Sequence, residues 1–267
     1  MEGRNIAFEH RYAEFKPERL PALAAELVGL KVDVIVAAGN PPVAAARQTT
    51  ATLPIVMVGA SQAVELWVAS LARPGGNVTG VTDHVTPDTV GKRLQLLKEF
   101  APTVSRVVLV RVPVPAEGPF LKAMEDAARV LGLTYRPLEV RAPADLPGAF
   151  AAILRERADG LNVWAQPLTL AHRKEIVEFA ATNRLPAVYG SRAFADAGGL
   201  LAYGTDYLGM WRHAAAYVDK ILKGARPADL PVEQPTKFEL VVNARAAKAL
   251  GLAIPPTLLY RADHIIE

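Results

Sequence analysis

Short apolar runs of strand length alternate along the chain with segments whose apolar residues recur every three or four positions. The runs at residues 32–37 and 106–112 are nearly continuous, which is typical of strands covered on both faces. The helical segments carry apolar stripes such as Val90, Leu94 and Leu97. This alternation predicts parallel sheets with helices on both faces.

The same pattern predicts the other elements. Further strands are expected at residues 6–12, 54–58, 78–82, 134–140, 160–165, 186–190 and 238–243. Further helices are expected at residues 20–30, 62–71, 120–131, 146–157, 169–183, 207–222 and 244–250. A proline-rich linker spans residues 227–235, and no element is predicted in the tail from Pro255 onward.

Glycine-rich segments at residues 73–80 and 198–204 interrupt this alternation and indicate crossings between two lobes. The fold class is therefore α/β, with two doubly wound parallel-sheet lobes joined by a hinge at Gly80 and Gly204. Lobe one is expected to comprise residues 1–81 plus 205–235, and lobe two residues 82–204 plus 236–267. Ligands of such sheets bind beyond the carboxyl ends of the strands, so the cleft between the lobes is the predicted site.

Composition narrows the class of protein. The 267 residues are 51% hydrophobic and 21% charged, which fits two folded domains and excludes disorder. Cysteine is absent, so disulfides and thiolate zinc sites are excluded. The net charge of +3 comes from basic residues scattered among acids, which argues against nucleic-acid binding. No run approaches the roughly 20 apolar residues that span a bilayer, and the polar residues 1–5 lead us to expect no export signal in the sequence as given.

Candidate ligand contacts in lobe one follow its predicted strands. Gly39 and Asn40 open a helix whose backbone N–H groups could hold a carboxylate, although the turn could also be ordinary. Gly59 and Ser61 follow the next strand, where Ser61 could be only a helix N-cap. Thr82 and Asp83 stand at the first crossing, either as ligand contacts or as hinge structure.

Lobe two offers a second set of polar and aromatic candidates. Trp164 could stack on a flat ligand or pack in the core, and Gln166 could hydrogen-bond that ligand. Arg192 has a fork that matches a carboxylate, which favours an anionic or carboxylate-bearing ligand, unless it pairs with Asp196 on the surface. The remaining candidates are Glu117, Ser191 and Tyr203 in lobe two and Asp206 at the second crossing.

Signatures of enzymes are missing from the sequence. It contains no dinucleotide, P-loop, nucleophile-elbow or zinc-protease motif, and its five histidines lack metal-ligand spacing. We therefore expect no catalytic residue, no cofactor and no metal. An enzyme on a doubly wound scaffold remains the alternative, with Asp83, Glu117 and Asp206 as its acids, and a ligand-sensing domain of a regulator is a third.

Two long motifs carry a family resemblance. They are LARPGGNVTG at residues 71–80 and DKILKGARPADLPVEQPTKFEL at residues 219–240, supported by GKRLQLLKE at residues 91–99. Together they resemble the ABC transporter substrate-binding proteins of the type I periplasmic-binding fold, in the branch of tryptophan- and amino-acid-like binders. The resemblance implies a solute-binding protein that closes about its hinge on a small molecule. It also implies a membrane permease as partner and a periplasmic location.

The sequence departs from this family in three places. Members carry an export signal and a first β-α unit before a segment like residues 2–6, and both are expected to be missing here. Amino-acid binders have an Asn-Pro-Gly-Glu-like segment where this chain keeps only Glu117. They often carry an acid where this chain has Arg192, which again favours a carboxylate-bearing ligand.

Overall fold

A computed structural model describes residues 5–14, 16–60, 64–83, 87–114, 117–234 and 238–267. The chain divides into two compact units. Unit 1 comprises Met1–His84 with Tyr207–Thr236, and unit 2 comprises Val85–Asp206 with Lys237–Glu267. Each unit is built around one β-sheet.

The strands within the described residues are β1 (Ile35–Ala38), β2 (Ile55–Ala60), β3 (Val78–Thr82), β4 (Arg106–Arg111), β5 (Thr134–Glu139), β6 (Gly160–Val163), β7 (Ala187–Tyr189), β8 (Leu201–Thr205), β9 (Phe238–Asn243) and β10 (His264–Ile266). The α-helices there are α1 (Leu20–Gly29), α2 (Asn40–Thr49), α3 (Pro87–Phe100), α4 (Gly118–Val130), α5 (Leu146–Arg155), α6 (Pro167–Ala171), α7 (Arg173–Thr182), α8 (Arg192–Asp196), α9 (Tyr207–Leu222), α10 (Ala244–Leu250) and α11 (Pro256–Arg261).

The sheet of unit 1 is parallel, in the order β1-β2-β3. Its central strand is covered on both faces because successive side chains point to opposite sides. Ile55 and Met57 belong to the core cluster that includes α2, whereas Val56 and Val58 belong to the cluster that includes α9. This two-sided burial explains why the run that forms β2 is continuously apolar.

Strand β1 behaves differently because it forms an edge of this sheet. Ile35 and Ala37 are buried on the side of α2, but Val36 is 41% exposed and Ala38 is also exposed. Helix α9 packs mainly on β2 and β3. The prediction that this run is covered on both faces is therefore wrong for β1.

The first predicted strand is also wrong. Residues 7–13 form no strand, and Ile6 makes only an isolated bridge. Phe8 and Tyr12 are 56% and 71% exposed, so this stretch contributes little to the core of unit 1. The alternation of apolar residues in this stretch therefore predicted a strand that does not form.

Unit 2 contains a seven-stranded sheet in the order β10-β9-β8-β7-β6-β4-β5. All its pairs are parallel except β8 and β9, which are antiparallel, so the sheet is mixed rather than wholly parallel. Val108 and Val110 face the core cluster that includes α5 and α7. Val107 faces the opposite cluster, which includes α3 and α4. Helices thus cover both faces of this sheet.

Two segments differ from their predicted structure. In the described part of residues 62–71, only Val64–Leu66 forms a helical turn. The chain then folds back, because Ala69 N–H donates to Pro74 O over 2.9 Å and the Ser70 hydroxyl accepts from Arg73 N–H over 3.0 Å. In the tail, α11 and β10 form where no element was predicted, since β10 can extend the sheet beside β9.

Gly80 in β3 allows a close approach between two strands. Its φ is +130°, and a Cβ added there would lie 2.2 Å from Met57 O. We expect Gly80→Ala to lower the free energy of unfolding by about 2–4 kcal/mol, through overpacking and backbone strain. Urea denaturation measures the change.

Gly76→Ala is the matched control, because an added Cβ there meets no atom within 4 Å. It should leave the unfolding midpoint close to that of the unsubstituted chain. Equal effects of the two substitutions would show that the approach of β3 to Met57 is not what requires glycine.

Candidate functional site

The carboxyl ends of β2 and β3 bring together several predicted residues of unit 1. Gly59 lies inside β2 at a register shift, with φ +65°, rather than after the strand. A Cβ added there would lie 3.6 Å from the Tyr207 ring and 3.9 Å from Asp83. The Tyr207 hydroxyl donates to Asp83 Oδ2 over 2.7 Å. This edge therefore presents a carboxylate whose orientation is held by a phenol.

Asp83 is further fixed through its backbone, because its N–H donates to Ala60 O over 3.1 Å. Its neighbour Thr82 is 2% exposed and bonds to the backbone of a later segment of the chain. The Thr82 N–H and hydroxyl both donate to Glu233 O, over 2.9 and 3.4 Å. Thr82 thus connects the segment at Glu233 to β3 by two hydrogen bonds.

The turn at Gly39 and Asn40 offers fewer donors than its position predicts. Pro41 and Pro42 carry no N–H, and the Val43 N–H donates to Gly39 O over 3.4 Å. The Gly39 N–H donates to Val58 O over 2.8 Å. A carboxylate cradle made of several backbone N–H groups is therefore absent from residues 39–43. Ser61 lies outside the described residues.

Glu117 in unit 2 takes part in an ion-pair cluster. Its Oε1 pairs with Arg111 Nη1, and Arg111 Nη2 pairs with Glu139 Oε1 at 2.9 Å. Glu117 Oε2 also accepts from Val114 N–H over 3.3 Å. The Arg111 side chain is only 6% exposed, so Glu117 compensates a buried charge.

Gln166 and Ser191 are engaged by nearby backbone. The Gln166 amide makes two 2.6 Å bonds to Val112, accepting from its N–H and donating to its carbonyl. Ser191 is 5% exposed and caps α8, where its hydroxyl accepts from Ala193 N–H over 3.3 Å. Both residues stabilise loops after their strands.

Trp164 follows β6 and is 9% exposed. Its backbone N–H donates to Val110 O, and its backbone carbonyl accepts from the Thr169 hydroxyl. Its indole Nε1 is buried and has no hydrogen-bond partner among the described residues. Buried donors of this kind are normally satisfied, so this N–H points to a water or a ligand.

The remaining predicted contacts lie apart from these groups. Arg192 pairs with Asp196 at 3.3 Å through an exposed side chain, which is the surface alternative. The Tyr203 ring stacks on Phe238, with centroids 5.9 Å apart, and burial raises the pKa of its hydroxyl. Asp206 follows β8. The pKa of Glu239 is raised mainly by burial, and the negative charge of Asp206 is the second cause.

One buried charge lies outside the set of predicted contacts. Arg93 in α3 is 4% exposed, and its Nε donates to Tyr203 O over 2.8 Å. The sequence did contain a signal, because Arg93 falls on the apolar stripe of Val90, Leu94 and Leu97. A charged residue on a core-facing stripe is seldom buried unless something pairs with it.

The described residues hold no group of three or more His, Asp or Glu side chains that could bind a metal ion. A helix with the length and apolar content to cross a membrane is likewise not found among them.

Comparison with known proteins supplies further findings. A sequence model described as ABC transporter substrate binding protein matches residues 1–266. A tyrosine-binding protein of Clostridioides difficile is 24% identical over 253 residues, which cover 94% of this chain and 72% of that protein.

Two solved structures share the fold. A conserved domain protein of Vibrio cholerae matches with a TM-score of 0.86 and 27% identity, over 99% of this chain and 88% of that one. A Streptococcus pneumoniae ABC domain in complex with L-Trp matches with a TM-score of 0.84 and 22% identity, over 99% and 89% of the two chains.

The cluster of Arg111, Glu117 and Glu139 leads to a prediction about stability. Glu117→Gln removes one of two carboxylates that compensate a buried guanidinium. We expect it to lower the free energy of unfolding by about 2 kcal/mol, because Arg111 keeps Glu139. Urea denaturation measures this loss.

Asp126→Asn is the control. Asp126 also has two basic partners, Lys122 and Arg129, but all three side chains are exposed. Its loss should leave stability nearly unchanged, since exposed ion pairs contribute little. A control effect as large as that of Glu117→Gln would contradict the special role of the buried pair.

Proposed function

The chain belongs to the ABC transporter substrate-binding protein family, and from this membership we propose that it captures a carboxylate-bearing, amino-acid-like solute for an ABC import system. The relatives that favour an amino acid are the one named tyrosine-binding protein and the one whose structure contains L-Trp. That the solute is enclosed between two lobes by hinge closure remains a prediction from the sequence.

The observation that carries the proposal is the carboxylate at the edge of the first sheet. Asp83 lies beyond the carboxyl end of β3, where ligands of parallel sheets bind. The Tyr207 hydroxyl orients it, and its anionic form suits the ammonium group of an amino acid. In unit 2, the buried indole N–H of Trp164 at the end of β6 has no hydrogen-bond partner among the described residues.

The family assigns the remaining parts of the proposal. We propose that the loaded protein delivers its solute to a membrane permease, and that it works outside the cytoplasmic membrane. Binding rather than turnover is the proposed activity, because Glu117, one of the three candidate acids, is held by Arg111. The alternative of an enzyme predicts that a bound solute is converted, which mass spectrometry of the recovered solute would detect.

Thermal unfolding with a panel of the L-amino acids and aromatic carboxylates tests the proposal. A solute at about 100 times its Kd should stabilise the protein by about 2.7 kcal/mol and raise the Tm accordingly. Isothermal titration calorimetry then gives the Kd. A panel in which no compound raises the Tm or releases binding heat would contradict the proposed function.

Asp83→Asn tests the role of the carboxylate. Removing its charge should weaken binding of the best amino acid by about 10- to 100-fold, since a charged hydrogen-bond partner is lost. Asp219→Asn is the control, because Asp219 is exposed on α9 and pairs only with nearby Lys223 among the described residues. Unchanged affinity in Asp83→Asn would exclude Asp83 as the ammonium contact.

A further inference from the structure

A cavity of about 390 Å³ opens at the amino-terminal edge of the second sheet. Asp159 and Pro186, which line it, directly precede β6 and β7. The cavity therefore lies at the edge opposite the strand ends where ligands of parallel sheets usually bind. Its volume is within the range of small-ligand pockets, and none of the predicted ligand contacts lines it.

The lining of this cavity combines apolar walls with a cation. Leu185, Leu250 and Leu252 supply apolar side chains, and Arg184 supplies the guanidinium. The Arg184 side chain is exposed and makes no ion pair or hydrogen bond among the described residues. A positive charge beside an apolar surface is thus available to a molecule that enters from solvent.

Two other polar side chains of the lining are already engaged. The Asp159 carboxylate accepts three hydrogen bonds from Ser105 and the Arg106 backbone, over 2.6 to 2.9 Å. The Asn183 amide donates to Phe179 O over 2.8 Å. Because these contacts occupy the acid and the amide, Arg184 is the charged group of the lining that lacks a partner among the described residues.

The backbone of Arg184 has a conformation that favours glycine. Its φ is +52°, which a residue with a Cβ adopts at a steric cost. It ends α7, since its N–H donates to Ala181 O over 3.1 Å and the Leu185 N–H donates to Ala180 O over 2.9 Å. Gly132 takes the corresponding place after α4. An arginine at such a position is a candidate for function.

Arg157 offers a close comparison. Its φ is +53°, and it ends α5 in the same way, with its N–H donating to Leu154 O over 3.0 Å. Both arginines also follow a helix C-terminus, where a cation interacts favourably with the helix dipole. Arg157 does not line the cavity, whereas Arg184 does. The two positions therefore separate helix-end chemistry from ligand binding.

We propose that this cavity is a second ligand site, which binds a small molecule with a carboxylate on a compact apolar body. The Arg184 guanidinium pairs with the carboxylate, and the leucine side chains contact the apolar body. The site lies within unit 2 and goes beyond the proposed function, because it does not depend on which solute the protein captures.

Nuclear magnetic resonance of the ¹⁵N-labelled protein tests this site with 4-phenylbutyrate and its uncharged amide, 4-phenylbutyramide. Addition of the acid should shift the backbone amide resonances of residues 158–159, 183–185 and 250–252, with a Kd in the millimolar range. The amide should bind about 5- to 10-fold more weakly, because it loses the charged contact. Shifts resolved by residue distinguish this site from binding elsewhere on the protein.

Arg184→Gly tests the guanidinium in a variant that should fold, because glycine adopts a positive φ without steric cost. The affinity for 4-phenylbutyrate should fall by about 5- to 10-fold, with little change for the amide. Arg157→Gly is the matched control, since it removes a cation at the same φ from a neighbouring loop. It should leave both affinities unchanged.

Three outcomes would overturn the inference. Cavity resonances that do not shift with either compound at about 20 mM would exclude the site. Equal binding of acid and amide by the unsubstituted chain would exclude a role for the guanidinium without recourse to any variant. An equal loss of acid affinity in Arg184→Gly and Arg157→Gly would reduce the effect to the general charge of this edge. None of these outcomes bears on the capture of an amino acid, which the thermal unfolding panel measures.

Discussion

Burial of the central strands from both sides is the constraint on which the two units depend. In β2, alternate side chains enter two different core clusters, one with α2 and one with α9. The strands β4, β7, β8 and β9 of unit 2 divide their side chains between two clusters in the same way. Because both faces are occupied by helices, only the ends of the strands remain for polar chemistry. This explains why the polar candidates collect after β3, β6 and β7.

Backbone N–H and C=O groups near the strand ends also need hydrogen-bond partners, and several of the candidate side chains provide them. The side-chain amide of Gln166 hydrogen-bonds to both the N–H and the carbonyl of Val112, and Ser191 caps a helix of five residues. Thr82 holds the segment at Glu233. Polar residues at strand ends are thus engaged by local structure first.

The sequence predicted the elements whose cause is local and failed where the cause is distant. The stripe of α3 and the run of β4 follow from periodicity alone, and both form as expected. The exposure of Val36 could not be predicted, because it depends on which strands α9 covers. The strand β10 escaped prediction because its three residues are stabilised by pairing with β9 rather than by their own pattern.

The site shows the same division between local and long-range causes. Chain position indicated Asp83 and Trp164 as strand-end residues, but the contact from Tyr207 spans 124 positions and has no local signature. The contact of Arg93 with Tyr203 spans 110 positions. A single sequence does reveal that Arg93 interrupts an apolar stripe, and a cation in that position must either leave the core or find compensation there. The structure keeps it in the core, beside a glycine whose missing side chain makes room for it.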